Sequence, residues 1–171
     1  MAVRPILEIP DPRLRRVAQP VTEFDDSVLS LVEDLRDTLY TTTGIGLCAP
    51  QLGDLRQVLV MDLSEDHSDL QVFINPVIHG RDVLGMIEES CLSIPDVVAR
   101  VVRPTEVDVS AVDQFGKPFE THLSGMSAVC LQHEMDHLAG RLFVDRLSLF
   151  RRLLLKATGK IAGAGAPQQA A

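Results

Sequence analysis

Residues 124–140, SGMSAVCLQHEMDHLAG, form the segment on which the fold turns. Ser124 can cap a helix over GMSAVCLQHEMDHLA by accepting a first-turn N–H, and Gly140 can close it in the left-handed conformation glycine adopts freely. On such a helix His133 and His137 differ by about 40° in azimuth and about 6 Å in height, so both rings reach one ion. Glu134 lies about 80° round from their mean direction. Its carboxylate then sits beside the ion rather than on it, where a general base for an activated water belongs. The competing reading is a solvated helix face with incidental histidines.

The flanking segments set the fold class. Asp26 can cap an earlier helix through SVLSLVEDLRDTLY, where Val28, Leu31, Leu35 and Leu39 recur at helical spacing and Gly44 marks the exit. RQVLVMDL and QVFINPVI are apolar runs of strand length. VARVVRPTEVDVSAVD is valine-rich with partial alternation and reads as strands and turns broken at Pro104. A third helix is predicted from Ser148 to about Thr158. Helix, strands, helix, helix, without regular βα alternation, predicts an α+β fold. Its central metal-binding helix packs on antiparallel or mixed sheets, with N- and C-terminal helices around it. One domain is expected over residues 1–160, followed by a disordered tail at 161–171 that contains AGAGAPQQAA.

The 171 residues suffice for one sizeable core, and 46% hydrophobic with 23% charged residues is an ordinary globular composition. No segment approaches the roughly 18 apolar residues of a membrane span, and the N-terminus lacks a secretory apolar core, so a cytoplasmic location is expected. Cys48, Cys91 and Cys130 form no close pair, and the odd count argues against a disulfide framework. The net charge of −8 argues against non-specific binding to nucleic acid, and no DNA partner is expected. Arg151, Arg152, Lys156 and Lys160 stand apart, with no acid between Phe150 and Lys160. They read either as cations favoured near a helix end or as a basic docking face for an acidic partner such as RNA.

A catalytic metal site of this kind usually has three protein ligands and an open position. No His or Glu follows His137, so the third ligand must lie upstream. The candidates are Cys48, Cys91, Cys130, His67, His79, His122 and many carboxylates. Cys130 shares the helix but lies in an apolar stretch that equally suits core filling. Cys91 is favoured by its surroundings, since EESCLSIP sets a soft ligand among acidic and hydroxyl residues just before a proline.

GIGLCAPQ at 44–51, ESCLS at 89–93 and HEMDH at 133–137 resemble, in order, the three signature motifs of peptide deformylases. ILEIPDPRLRRVAQPV resembles their N-terminal segment, and the likeness spans about residues 4–155. The long C-terminal helix is similar to that of the Gram-negative bacterial type. The resemblance implies a hydrolase that removes the formyl group from the N-terminal methionine of nascent chains. It implies Cys91, His133 and His137 on one divalent ion, Fe2+ in vivo, which Zn2+, Ni2+ or Co2+ can replace. Glu134 would be the base, and the Gln51 amide and the Leu92 main-chain N–H would steady the oxyanion. Main chain around Gly44, Ile45, Gly46 and Ser90 would pair with the substrate as an added strand. Ile45, Ile87, Met126, Val129, Cys130 and His133 would surround the methionine side chain. Glu89 is expected among the substrate-binding residues, and it and Arg103 either pair, holding the Cys91 segment, or are solvated. Asp136 reads as a support for the site or as a surface ion pair. The protein is expected to be a monomer touching the ribosome transiently through its basic C-terminal helix.

Two positions depart from the pattern: Ser90 stands where the family usually has glycine, and Cys48 where it has alanine. Ser90 puts cleft width in question, whereas Cys48 is a small change expected to pack inward. Two other functions compete, a zincin-type peptidase and a non-catalytic metal-binding relative. The first lacks its usual downstream ligand, and the second has no use for Glu134.

Overall fold

The computed structural model describes residues 2–161. Five strands, β1 (Gly46–Cys48), β2 (Val58–Met61), β3 (Gln71–Cys91), β4 (Ile94–Val112) and β5 (Pro118–Ser124), pair in chain order into one sheet. Every ladder is antiparallel. Helices α1 (Asp26–Leu39), α2 (Gly125–Leu138) and α3 (Leu149–Ala157) complete the expected α+β class.

β2 explains how the layers stack. Its four residues are apolar without alternation, which suits a strand covered on both faces. Val58 and Val60 join Val28, Leu31, Leu35 and Leu39 of α1, while Leu59 and Met61 join Ala128, Leu131 and Leu138 of α2. The sheet is therefore held between α1 and α2. The amphipathic stripe of α1 lands where its spacing predicts, but its cap is Asp25, whose carboxylate accepts the Ser27 N–H at 2.9 Å. The helix stops at Leu39, five residues before Gly44.

The valine-rich stretch differs from expectation. Pro104 breaks nothing: β4 runs through it as one strand, with Leu84 opposite Pro104. In an extended strand the N and C=O of one residue point the same way. The Pro104 carbonyl accepts from Gln132 Nε2 of α2 at 2.8 Å, so the missing N–H faces α2 and not the β3 ladder. β5 begins to pair only at Glu106, leaving that edge to α2. β1 and β5 themselves were not legible as strands.

β3 and β4 meet in a tight turn through Leu92 and Ser93, closed by the pairing of Cys91 with Ile94. Just before it the register slips, so that residues 95–98 bulge opposite Ser90. α2 follows Ser124, although its side chain makes no capping bond, and Gly140 ends the helix at φ 66°. A Cβ on Gly140 would stand 2.5 Å from the Arg15 main-chain oxygen, so glycine is needed there for space as well as for conformation. Beyond α2, Leu142, Phe143, Val144 and Leu147 pack with Cys91, Ile94, Val97 and Val101. Ile161, the first residue of the expected tail, is buried in this same cluster, and 162–171 lie outside the described residues.

Candidate active site

Two elements converge at one point. α2 presents His133, Glu134 and His137, all buried, and the end of β3 brings up Cys91, also buried. Donor atoms of Cys91, His133 and His137 lie within 4.8 Å of one another. Cys91 Sγ stands 3.2 Å from His137 Nε2, and the two imidazoles are 5.2 Å apart between centroids. Burial disfavours the Cys91 thiolate, but His137 and His133 outweigh it and bring its pKa down to about 6. A thiolate beside two imidazoles is the donor set of a borderline divalent ion, so the residues fit the expected metal.

The other sequence candidates lie elsewhere. His79 bonds Ser110 at 2.6 Å and His122 bonds Asp108 at 2.9 Å on the exposed sheet face, and His67 packs against Tyr40. Cys130 takes both of its expected roles, belonging to the core cluster and lining the cleft.

A buried charge network orients the donors. Glu89 Oε2 accepts from His133 Nδ1 at 2.9 Å, leaving Nε2 to face Cys91. Arg103, fully buried, grips both Glu89 oxygens at 2.5 and 2.8 Å and reaches Asp136 at 2.8 Å. Arg146 closes on the far side of Asp136 at 2.6 and 2.7 Å. Burial would raise both carboxyls, but Arg103 and His133 hold Glu89, and Arg146 and Arg103 hold Asp136, below the usual carboxylate range. A carboxylate on the second nitrogen of a ligand histidine fixes its tautomer and raises its basicity. Glu89 is therefore engaged in holding His133. Asp136 is not a surface ion pair.

Glu134 sits as helix geometry predicts. Among the described residues its Oε2 is buried without a hydrogen-bond partner. β1 passes so close that a Cβ on Gly46 would lie 2.6 Å from Cys130 Sγ and 3.0 Å from Glu134 Oε1, so only glycine lets this edge strand approach α2. Gln51, 1% exposed, accepts at Oε1 from the Cys48 N–H at 3.0 Å and faces the Cys48 thiol at 3.2 Å. Its Nε2 donates to Ser93 Oγ at 3.2 Å and lies 4.0 Å from Cys91 Sγ. Burial, and then the Glu134 carboxylate, push the Cys48 thiol well up, so it is a neutral donor.

A cleft of about 420 Å³ opens over this centre. It is lined by Gly44, Ile45, Gly46, Gln51, Glu89, Ser90, Leu92, Met126, Val129 and Cys130, together with Cys91, His133 and Glu134. Ile87 is not among the lining residues; Glu88, Thr43 and Pro95 are. By the pleat Ile87 shares its face of β3 with Glu89 and Cys91, while Glu88 and Ser90 share the other. Cys48, Ser93 and Arg146 also belong to the neighbourhood. Of these Ser93 had a sequence signal in its place in ESCLS and Cys48 in its place in GIGLCAPQ, while Arg146 had none.

Borderline-metal donors, a buried carboxylate beside them and an open cleft above define a metal-dependent hydrolase. The chain belongs to the peptide deformylase family, whose model (polypeptide deformylase) matches residues 3–152. It is 51% identical to the peptide deformylase of Cellvibrio japonicus, over 89% of this chain and 90% of that protein. It is 48% identical to that of Pseudomonas aeruginosa, over 89% and 91%. The crystal structure of the Legionella pneumophila peptide deformylase superposes with a TM-score of 0.88 at 45% identity, covering 94% of each chain. That of Ehrlichia chaffeensis in complex with actinonin gives 0.85 at 32% identity, over 96% of this chain and all of that one. The protein is thus an enzyme that removes the N-formyl group from nascent peptides. Among the described residues no helix is long and apolar enough to cross a membrane.

Proposed function

We propose that Cys91, His133 and His137 hold the metal, and that it is Fe2+ in the cell, with Zn2+, Ni2+ or Co2+ able to replace it. The convergence of these three donors beside Glu134 carries the reading. Such an ion supplies an acidified water and a positive charge next to the forming oxyanion. The remaining work belongs to the chain. Glu134 takes a proton from the water as its oxygen attacks the formyl carbon, holds it, and delivers it to the amine nitrogen as the C–N bond breaks and formate leaves. Gln51 Nε2 and the Leu92 main-chain N–H donate to the oxygen that gains charge, and preorganised donors of this kind are worth roughly 3–4 kcal/mol each.

The substrate main chain pairs with the free edge of β1 at Gly46 and with Gly44 and Ile45 just before it, and with Ser90 where the bulge leaves it without a regular partner. Ile45, Met126, Val129, Cys130 and His133 receive the methionine side chain. The enzyme works as a single-domain monomer in the cytoplasm.

The test is formate release from formyl-Met-Ala-Ser by anaerobically prepared protein whose metal content is measured alongside. Rapid release with about one iron per chain is expected. Bound iron without formate would overturn the assignment, and peptide-bond cleavage without formate would point to a zincin-type peptidase instead.

The same reading places transient ribosome contact on α3. No residue of this helix is buried, and Arg151, Lys156 and Lys160 are exposed. Changing Arg151 and Arg152 to glutamate is expected to abolish co-sedimentation with ribosomes at low salt. Unchanged co-sedimentation would refute the contact.

A further inference from the structure

We propose that Cys48 is a positioning residue, whose thiol joins its own main-chain N–H in clamping the Gln51 carboxamide oxygen so that Nε2 faces the formyl carbonyl. The inference rests on the donor role proposed for Gln51. A carboxamide is nearly symmetric in shape, so packing alone does not choose which end faces the cleft. Hydrogen bonding does. Gln51 Oε1 has the Cys48 N–H at 3.0 Å and the Cys48 Sγ at 3.2 Å. Nε2 has the Ser93 hydroxyl at 3.2 Å and the Cys91 sulfur at 4.0 Å. Turned over, the amide would set N–H against the Cys48 N–H and oxygen against the Cys91 sulfur.

The main-chain N–H is present whatever residue occupies position 48. The thiol is particular to cysteine, and alanine would supply only one of the two donors. Both Cys48 and Gln51 are almost wholly buried, so water does not compete for Oε1. A donor held in place beforehand costs no reorganisation when the oxyanion forms, so the effect belongs in kcat rather than KM.

The test compares Cys48→Ala, Cys48→Ser and Gln51→Ala, singly and with Cys48→Ala in the Gln51→Ala background, in iron-loaded enzyme. Cys48→Ala is expected to lower kcat about three- to tenfold, the size of one neutral hydrogen bond, with KM unchanged. Cys48→Ser, which keeps a donor, is expected to recover most of that loss. In the Gln51→Ala background Cys48→Ala should have no further effect. The side-chain NH2 protons of Gln51, followed by 15N NMR, should exchange faster with water in Cys48→Ala than in the wild type.

Wild-type kcat in Cys48→Ala, with Gln51→Ala impaired, would overturn the role of Cys48 alone. A loss that persists in the Gln51→Ala background, or that serine does not recover, would make it a packing effect and overturn it as well. If Gln51→Ala itself is fully active, the donor role of Gln51 fails, and that of Cys48 with it.

Discussion

Glu134→Gln will lower formate release by about 10²- to 10⁴-fold, the range general acid–base catalysis contributes, and will leave the bound metal in place. The amide matches the carboxylate in shape but takes up no proton at neutral pH. Glu134 is 4% exposed, and its Oε2 is buried without a partner among the described residues, so the oxygen is free for a proton in transit. It is not one of the three converging donors, which is why metal content should hold. Steady-state formate release and elemental analysis on the same samples check both halves. Activity within tenfold of wild type would remove Glu134 from the proton path, and loss of metal would make it a ligand.

Arg103→Met will destabilise the fold by about 3–5 kcal/mol, the usual cost of removing one partner from a buried ion pair. Arg103 is fully buried between Glu89 and Asp136, whose side chains are 4% and 7% exposed. Methionine fills much of the volume but leaves Glu89 with only His133 as a partner, and Asp136 with only Arg146, which is itself 38% exposed. Urea denaturation of the wild type and variant measures the effect. Removing the more exposed Arg146 should cost much less, because water can reach Asp136 from that side. With the Glu89 anchor loosened, metal affinity is also expected to drop by about 10- to 100-fold, as when a partner of a ligand histidine is lost. A stability change under about 1 kcal/mol would show that the two carboxylates find water or protonate at little cost.

Both predictions concern residues visible in the sequence, yet they were legible to different degrees. Glu134 could be placed from sequence because its position depends only on helix pitch and the two histidines beside it. Arg103, Glu89 and Asp136 could equally have been solvated. Only the meeting of β3, β4 and α2 shows that they neutralise one another out of water. Pro104 was misread for a related reason: proline disrupts a strand only on the side where its N–H would pair, and the position of α2 decides which side that is.

The sequence by itself determined whatever is governed by local periodicity and motif. It specified the amphipathic face of α1, the α2 helix with its two histidines and glutamate, and the family through three short motifs. Only the tertiary structure decided which distant groups meet. The Cys91 sulfur lies beside His137 because a hairpin turn carries it there, and Gln51 points its nitrogen toward the site because Cys48 holds its oxygen. Helix pitch is a property of neighbouring residues along the chain. The direction of a buried hydrogen bond depends on every element packed around it.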